Sequence, residues 1–431
     1  MPESSRRSFL AAGAAAFSLG RVLGANDRVN IGIAGIGGRG NDHIKNYAPL
    51  PDARIVALCD VNQPALERGQ AAVLKLTGET PKGYDDMRKM FDDKNVDAVS
   101  ITTPNHWHAL STIWACQAGK DVYCEKPACY NVHEGERMIE VARKTGRMVQ
   151  IGSQSRSVAH QMKAMQLLRE GVIGQVYMAK GLCFKRRKSI GHKEDEPVPA
   201  GLNWDMFLGP APMRPYNELR FRYNWHWFWD TGNGDIGNQG VHEMDIARWG
   251  LGEVTWPQSV VSTGGKYAYV DDQETPNTQL ATFDYGGKQL LFEVRGLLTG
   301  TEGGIPKGGT NYVGNLFYGV DGWMQVDSSG FKVYKGETSD LIMDEKSEKG
   351  GDTGPHMENF LAACRSRDYK SLHAEVAIGV MSANLVHLAN ASYRSGRKLA
   401  VDASKGRFTG PGAEEGNAFL TRPKYRAPYV V

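Results

Sequence analysis

The stretch Val29-Asn-Ile-Gly-Ile-Ala-Gly-Ile-Gly-Gly-Arg-Gly40 decides the fold of this chain. Its first half, 29–34, is apolar enough to form a short buried strand. Its second half, 35–40, has the spacing G-x-G-x-x-G, and we expect a helix to follow from Asn41. A glycine motif placed between a strand and a helix is the context of a dinucleotide-binding turn.

The residues of this turn have separate expected roles. Gly35 permits the tight turn, Gly37 lets the backbone approach a pyrophosphate, and Gly40 lets the helix pack closely on the strand. The next apolar strand ends in Asp60, whose carboxylate can accept hydrogen bonds from ribose hydroxyls and repel a 2′-phosphate. The sequence therefore favours NAD over NADP, although the guanidinium of Arg39 offers an alternative site for a phosphate.

Strand and helix patterns continue to alternate along the first third of the chain. Apolar runs at 96–103, 121–127 and 148–152 are predicted strands, and the segments between them have the apolar spacing of helices. This alternation predicts a doubly wound parallel sheet, in which ligands bind beyond the carboxyl ends of the strands. We therefore predict that NAD contacts Gly35, Gly37, Gly38, Arg39, Gly40, Asp60, Thr103, Pro104, Asn105, His108, Glu125 and Lys126.

The second half of the chain has a different pattern. Short apolar runs are joined by hairpin signals at Gly286-Gly287, Asp321-Gly322 and Ser329-Gly330, which predict an antiparallel meander. Together the two halves predict an α/β protein with a Rossmann domain followed by an α/β domain that has an open, mainly antiparallel sheet. The predicted boundaries are 1–25 for a signal peptide, 26–150 for the NAD-binding domain, 151–400 for the substrate domain and 401–431 for an extended tail.

The N-terminus has the pattern of an export signal. Ser5-Arg-Arg-Ser-Phe-Leu10 is a twin-arginine sequence, and the small apolar run after it is too short to span a bilayer. No other stretch of the sequence resembles a membrane span. We therefore expect export by the twin-arginine route, which carries folded proteins with their cofactor loaded, and a periplasmic location.

Composition excludes several other classes of function. The net charge of +3 is too small to predict nucleic-acid binding, and we interpret the basic run Lys185-Arg-Arg-Lys188 as a solvated loop. The six cysteines include no CxxC pair and no zinc-ligand spacing, so we expect them to pack as small apolar residues. We predict no metal site.

Five motifs resemble the Gfo/Idh/MocA oxidoreductases. They are GIGGRG at 35–40, CDV at 59–61, TPNHWH at 103–108, AGKDVYCEKP at 118–127 and GNQGVHEMD at 237–245. The resemblance implies enzymes that oxidise or reduce sugars, inositols and related alcohols with NAD(P). It also includes glycosidases that oxidise a sugar hydroxyl, eliminate the aglycone, add water and reduce the product again. Members of both kinds are exported by the twin-arginine route, and we expect a homo-oligomer.

The resemblance also implies catalytic residues. Lys126 matches the family's active-site lysine, which exchanges a proton with the reacting hydroxyl and whose pKa we expect to be lowered beside an oxidised nicotinamide. His242 matches the family's acid–base histidine, with a structural role at a helix start as the alternative. Dehydrogenase members place Asp where this chain has Asn238, and Asn cannot relay a proton, which argues against simple alcohol oxidation. Glu243 and Asp245 follow closely, but we interpret Asp245 as a helix-side partner.

An aromatic and glycine-rich segment lies just before these residues. Tyr223, Trp225 and Trp227 alternate, so on a strand they would share one face and stack on the C–H faces of a sugar, while His226 and Phe228 would share the other face. We predict that the following glycines bring the backbone close to substrate and nicotinamide: Gly232, Gly234, Gly237 and Gly240. We also expect substrate contacts from Gln239 and His242, a core position for Trp229 and a turn-anchoring role for Trp204.

Three functions remain open from the sequence. The first is net oxidation or reduction of a sugar or polyol with a tightly held NAD. The second is redox-neutral, NAD-dependent hydrolysis of a glycoside. The third, a sugar-binding protein without chemistry, is disfavoured because Lys126 and His242 are both present.

Overall fold

The computed structural model describes residues 28–297, 312–347 and 353–431. The predicted signal peptide, 1–25, lies outside these residues. Across the described ranges, the helices are too short or too polar to cross a bilayer.

The first sheet is parallel throughout, with the strand order β3-β2-β1-β4-β5-β6. Its strands are β1 (Val29–Ala34), β2 (Ala53–Cys59), β3 (Lys82–Tyr84), β4 (Ala98–Ile101), β5 (Asp121–Cys124) and β6 (Val149–Ile151). The helices between them are α1 (Arg39–Tyr47), α2 (Gln63–Thr77), α3 (Met87–Asp92), α4 (Asn105–Gln117) and α5 (Val132–Thr145). The doubly wound sheet is therefore confirmed. The predicted strands at 96–103 and 121–127 are shorter than expected, because the residues after Ile101 and Cys124 turn away as loops at the carboxyl edge.

The second sheet has the order β14-β13-β12-β11-β7-β10-β9-β8-β15-β16 and is antiparallel except for the pair β7 and β10. All three hairpin predictions are confirmed, since the predicted turns join β9 to β10, β11 to β12 and β12 to β13. The strands are β7 (Val176–Phe184), β8 (Ser259–Gly265), β9 (Thr278–Asp284), β10 (Gln289–Arg295), β11 (Tyr312–Gly319), β12 (Gly322–Asp327), β13 (Gly330–Lys335), β14 (Asp340–Lys346), β15 (Leu399–Asp402) and β16 (Arg407–Thr409).

Seven further helices pack around the two sheets in the described chain. They are α6 (Ala159–Arg169), α7 (Trp204–Leu208), α8 (Gly234–Asn238), α9 (Gly240–Gly250), α10 (Gly354–Ser366), α11 (Val376–Ser395) and α12 (Ala413–Ala418). The long helix α11 belongs to both cores: Val376 and Val380 pack with the first sheet, whereas Leu385 and Leu388 pack with the second. This helix therefore ties the carboxyl edge of the first sheet to α8 and α9.

The expectation of an extended tail over 401–431 is wrong. This segment contains β16 and α12, and Phe408 and Leu420 are buried in the core of the second sheet. Farther along, Tyr429 packs against the first core, with its ring 5.3 Å from that of Trp107. The apolar side chains of the segment explain the difference, because they fold it back onto the protein.

Candidate active site

The glycine motif forms a turn with open space above it. Gly35 has a φ of 92°, and a Cβ there would lie 2.8 Å from the backbone carbonyl group of Thr102. A Cβ at Gly40 would lie 2.2 Å from the carbonyl oxygen of Gly35, so α1 can approach β1 only without a side chain. At Gly37 and Gly38, by contrast, a Cβ would meet no described atom within 4 Å. The turn therefore offers backbone to a ligand at its outer surface.

The carboxylate of Asp60 accepts hydrogen bonds from the backbone at this turn. One carboxylate oxygen accepts a hydrogen bond from the N–H of Ile36 at 2.6 Å, and the other accepts one from the N–H of Asn62 at 2.8 Å. Burial raises the pKa of Asp60, and these backbone donors oppose that effect. Asp60 thus supports the glycine turn, a role in addition to the predicted contact with ribose.

Arg39 and Glu125 form an ion pair across the first sheet's carboxyl edge. Arg39 Nε lies 2.8 Å from Glu125 Oε1, and His43 Nε2 lies 2.8 Å from the same oxygen. Burial alone would raise the pKa of Glu125, but Arg39 and His43 outweigh it and hold the pKa well below its usual value. Because the guanidinium of Arg39 is already neutralised by a carboxylate, the sequence-based argument for a 2′-phosphate site is weakened.

The TPNHWH segment makes internal contacts at the same edge. The ring of His108 is buried, with Nδ1 2.7 Å from the carbonyl oxygen of Pro127 and Nε2 2.8 Å from that of Thr103. Asn105 Nδ2 donates to Asn233 Oδ1 at 3.2 Å. Pro104 is the N-cap residue of α4. Of this predicted cofactor set, His108 and Asn105 contact protein and hold loops together, while the Thr103 hydroxyl is buried without a described partner.

Lys126 joins the first sheet to the second half of the chain. It follows β5, and its Nζ donates to the carbonyl oxygen of Asn238 at 2.7 Å. Burial lowers the pKa of Lys126, and the charge of Arg39 lowers it further. The pKa of Lys126 is therefore lowered, as expected, even without a nicotinamide beside it, and burial is the largest cause.

Asp235 supplies a carboxylate that the sequence argument missed. It forms two hydrogen bonds with Arg187, 2.7 Å and 2.9 Å long, and its Oδ1 accepts from Asn238 Nδ2 at 3.1 Å. The same Nδ2 donates to the hydroxyl of Tyr223 at 2.9 Å. Asn238 is thus part of a network with a carboxylate, although it is not itself acidic.

The interpretation of the basic run 185–188 as a solvated loop is wrong for Lys185 and Arg187, whereas Lys188 is exposed. The side chain of Arg187 is only 16% exposed because it pairs with Asp235, and Lys185 Nζ donates to Gln239 Oε1 at 3.4 Å. The sequence held one signal for this pair, because Asp235 lies close along the chain to the candidate histidine. A carboxylate buried there would require a cation to neutralise it.

His242 and Glu243 lie at the start of α9 with displaced pKa values. Burial and the charge of Lys126 lower the pKa of His242 to about 3, so its imidazole is neutral at physiological pH. Glu243 is only 3% exposed; its Oε1 accepts from Gln239 Nε2 at 3.2 Å, whereas Oε2 has no partner in the described parts of the chain. Burial raises the pKa of Glu243 to about 8. Displaced pKa values of this kind cluster at functional sites.

The aromatic segment is not a strand, so the predicted shared face does not exist. Asn224–Trp227 form a short 3₁₀ helix, in which Trp227 is 4% exposed, and Tyr223 just before it is 50% exposed. Trp225 stacks on His226 with ring centroids 3.6 Å apart. The segment coils because the chain folds back at Gly232, where a Cβ would lie 2.2 Å from the carbonyl oxygen of His226.

Structural roles were also predicted from the sequence for Trp229 and Trp204. Trp229 is only half-buried, beside Tyr393 and under the guanidinium of Arg394, so its predicted core position is wrong. Trp204 is buried and donates from Nε1 to the carbonyl oxygen of Arg214 at 2.8 Å, as expected of a turn anchor.

The later glycines pack against protein on the side where a Cβ would lie. A Cβ would lie 2.5 Å from the Cβ of Asn233 at Gly237, and 2.2 Å from the ring of Phe292 at Gly240. These positions therefore let α8 and α9 approach their neighbours. Asp245, in α9, accepts hydrogen bonds from the buried guanidinium of Arg156 at 2.8 Å and 3.0 Å, as a helix-side partner should.

Two family models match the chain in succession. Residues 29–153 match the model of an oxidoreductase family's NAD-binding Rossmann fold, and residues 138–274 match the model of the same family's C-terminal α/β domain. Inositol 2-dehydrogenase of Salmonella typhimurium is 38% identical over 152 residues, which are 35% of this chain and 44% of the relative. A glycosyl hydrolase family 109 protein of Saccharopolyspora erythraea is 30% identical over 216 residues, 47% of each chain. The chain therefore spans less than half the length of these curated relatives.

Solved structures share the fold over most of the chain. The WlbA dehydrogenase of Bordetella pertussis, solved with NADH and UDP-GlcNAcA, has a TM-score of 0.65 at 21% identity and covers 87% of this chain and 98% of its own. The aldose-aldose oxidoreductase of Caulobacter crescentus has a TM-score of 0.64 at 19% identity, covering 87% and 100%. The two-domain architecture is therefore that of known NAD-binding oxidoreductases.

Proposed function

Because the chain belongs to the Gfo/Idh/MocA oxidoreductase family, we propose that it transfers hydride between NAD and a hydroxyl-bearing carbon of a sugar or polyol. The observation that carries this proposal is Lys126, a half-buried lysine with a lowered pKa beyond the carboxyl end of β5. Ligands of doubly wound sheets bind at this edge. An amine poised in this way can both donate a hydrogen bond to a hydroxyl and take its proton.

The residues around the glycine turn fit NAD. Open space at Gly37 and Gly38 leaves room for a pyrophosphate at the N-terminus of α1, and Asp60 lies at the end of β2 for the ribose. NAD, when bound, supplies the acceptor for the hydride. The engagement of Arg39 by Glu125 supports NAD over NADP.

The protein's own groups handle the proton and the sugar. Lys126 holds or takes the proton of the reacting hydroxyl. The imidazole of His242, which is neutral in the protein alone, can donate a hydrogen bond to the substrate or accept one from it. Tyr223, with half its surface exposed, offers a ring face for sugar C–H groups, and its hydroxyl is oriented by Asn238 and Arg187. Gln239, beside the same turn, offers an amide to the sugar hydroxyls.

A second candidate is redox-neutral hydrolysis of a glycoside. In this cycle a hydroxyl carbon is oxidised, the aglycone is eliminated, water adds to the double bond, and the same hydride returns to the sugar. The match to the glycosyl hydrolase family 109 protein supports this candidate, because it extends over 216 residues, against 152 for the inositol dehydrogenase. Asn238, in place of the carboxylate that the resemblance implies for dehydrogenases, points the same way.

The predicted twin-arginine signal leads to a further part of the proposal. Export by this route would place the protein in the periplasm. An exported enzyme meets no pool of free NAD(H), so the protein should retain its cofactor through each cycle. We expect the purified protein to carry nicotinamide and to turn over without added NAD, measured by absorbance of the extracted nucleotide and by product formation. A dialysed protein that is free of nucleotide and consumes NAD stoichiometrically contradicts this part.

We also propose a homo-oligomer, which sedimentation would test.

The catalytic assignment is tested by Lys126→Ala. We expect turnover to fall by about a hundredfold or more, as when a general acid or base is removed, while bound NAD is retained. Lys144→Ala, which removes an exposed lysine from the last turn of α5, is the matched control. Assays with free sugars and with aryl glycosides separate net oxidation, which leaves NADH, from hydrolysis, which does not. Full activity of Lys126→Ala removes the lysine from the mechanism.

A further inference from the structure

The candidate active site contains two ammonium groups that lack a carboxylate partner among the residues described. Lys126 Nζ donates to the carbonyl oxygen of Asn238 at 2.7 Å, and Lys185 Nζ donates to Gln239 Oε1 at 3.4 Å. Asn238 and Gln239 are consecutive, so both lysines contact the same turn between α8 and α9. The amines of two lysines are therefore bound to consecutive residues where the substrate is proposed to bind.

The other charges around this turn are balanced. Asp235 pairs with Arg187 at 2.7 Å, and Glu125 pairs with Arg39 at 2.8 Å. Glu243 is largely uncharged below about pH 8, because burial raises its pKa to about 8. The N-terminus of α9 adds partial positive charge from its backbone N–H groups. Among the described residues, the charges around this turn thus leave an excess of positive charge.

The described residues of the neighbouring strands do not supply the missing anion. The backbone N–H of Lys185 donates to the carbonyl oxygen of Arg295, and the nearby Glu293 is bound to Arg295 at 2.5 Å and to Lys180 at 3.4 Å. A half-buried ammonium that has only a side-chain amide as its partner is costly to desolvate. An anion from outside the chain would compensate that cost.

We propose that the substrate is a sugar that carries an oxyanion, and that Lys185 binds this group while Lys126 acts on the reacting hydroxyl. This inference rests on the proposed function, whose substrate class it narrows. A lysine binds as a point charge, so a carboxylate, a sulfate and a phosphate share the recognising chemistry. Lys185 then recognises the substrate and Lys126 takes part in the chemical step, while both contact the turn between α8 and α9.

The test is calorimetric titration of the NAD-loaded protein with glucose, glucuronate, glucose 6-sulfate and glucose 6-phosphate. We expect at least one anionic sugar to bind tenfold or more tightly than glucose, with the preferred one identifying the source of the oxyanion. Lys185→Met should abolish this preference, and Lys185→Arg, which keeps the charge, should retain it. Thermal unfolding of each variant shows whether it is folded.

Lys188→Met is the matched control, because it removes the same charge from an exposed position three residues along the chain. It should leave the preference for the anionic sugar unchanged. Equal affinity for glucose and every anionic sugar, no binding of any anionic sugar, or equal losses in the Lys185 and Lys188 variants would overturn the inference. Equilibrium binding requires no hydride transfer, so an inactive protein that prefers an anion refutes only the proposed function.

Discussion

The two glycine-rich segments of this protein look alike in sequence and serve opposite purposes. In the segment 35–40, a Cβ at Gly37 would meet no described atom within 4 Å. In the segment 232–240, a Cβ at Gly240 would lie 2.2 Å from the ring of Phe292. Gly37 and Gly38 of the first segment leave space that a ligand can fill, whereas Gly240 of the second lets α9 pack against β10. Glycine content alone therefore does not identify a ligand site.

The strongest way to break this comparison is Gly240→Ala. The added methyl group overlaps a fully buried phenylalanine, so Phe292 or α9 must move, and we expect a loss of about 3 kcal/mol in the free energy of unfolding, the upper end for overpacked cores. Urea unfolding measures the loss directly. A variant as stable as the wild type would mean that this region has room to spare, and would return Gly240 to the list of candidate ligand contacts.

The same substitution at Gly37 should spare the fold and weaken NAD binding. Its φ lies outside the left-handed region and the space above it is open, so Gly37→Ala should unfold at the wild-type urea concentration. A methyl group at the surface that a pyrophosphate approaches should reduce NAD affinity about tenfold, equivalent to about 1.4 kcal/mol. Calorimetric titration after removal of bound nucleotide measures this. An unchanged affinity would show that the dinucleotide does not contact Gly37.

The fold could be predicted from sequence wherever local signals were sufficient. The strand at 29–34, the glycine turn and the three hairpins each depend on neighbouring residues, and each is present in the structure. The position of Lys126 at the carboxyl edge followed from the rule that ligands of such sheets bind there, although its contact with Asn238 was not predicted. These features needed no knowledge of distant partners.

The errors concern features that depend on distant partners. The pair of Arg187 and Asp235 joins residues 48 positions apart, so a basic run read alone resembles a solvated loop. The alternation of Tyr223, Trp225 and Trp227 fits a strand, yet a strand needs a neighbour, and the chain here folds back on itself instead. Long-range pairing and backbone reversal decide both cases, and neither can be predicted from the local pattern of these segments alone.

The smallest expected effect is a change in stability with pH, which tests whether the segment around Gly240 is packed while the segment around Gly37 is open. Glu243 follows the packed glycine Gly240, and burial raises its pKa from the ordinary 4.5 to about 8. Between these values the folded protein binds a proton that the unfolded chain has released, so stability falls as pH rises through this window. Glu243→Gln cannot titrate and should be more stable than the wild type at pH 8.5, by on the order of 1 kcal/mol, with a flatter profile. Urea unfolding at pH 5, 7 and 8.5 provides the comparison, and Glu337→Gln in the exposed turn between β13 and β14 is the control. Parallel profiles for Glu243→Gln and the wild type would mean that water reaches the carboxyl group, and that the space around α9 is open as it is at Gly37.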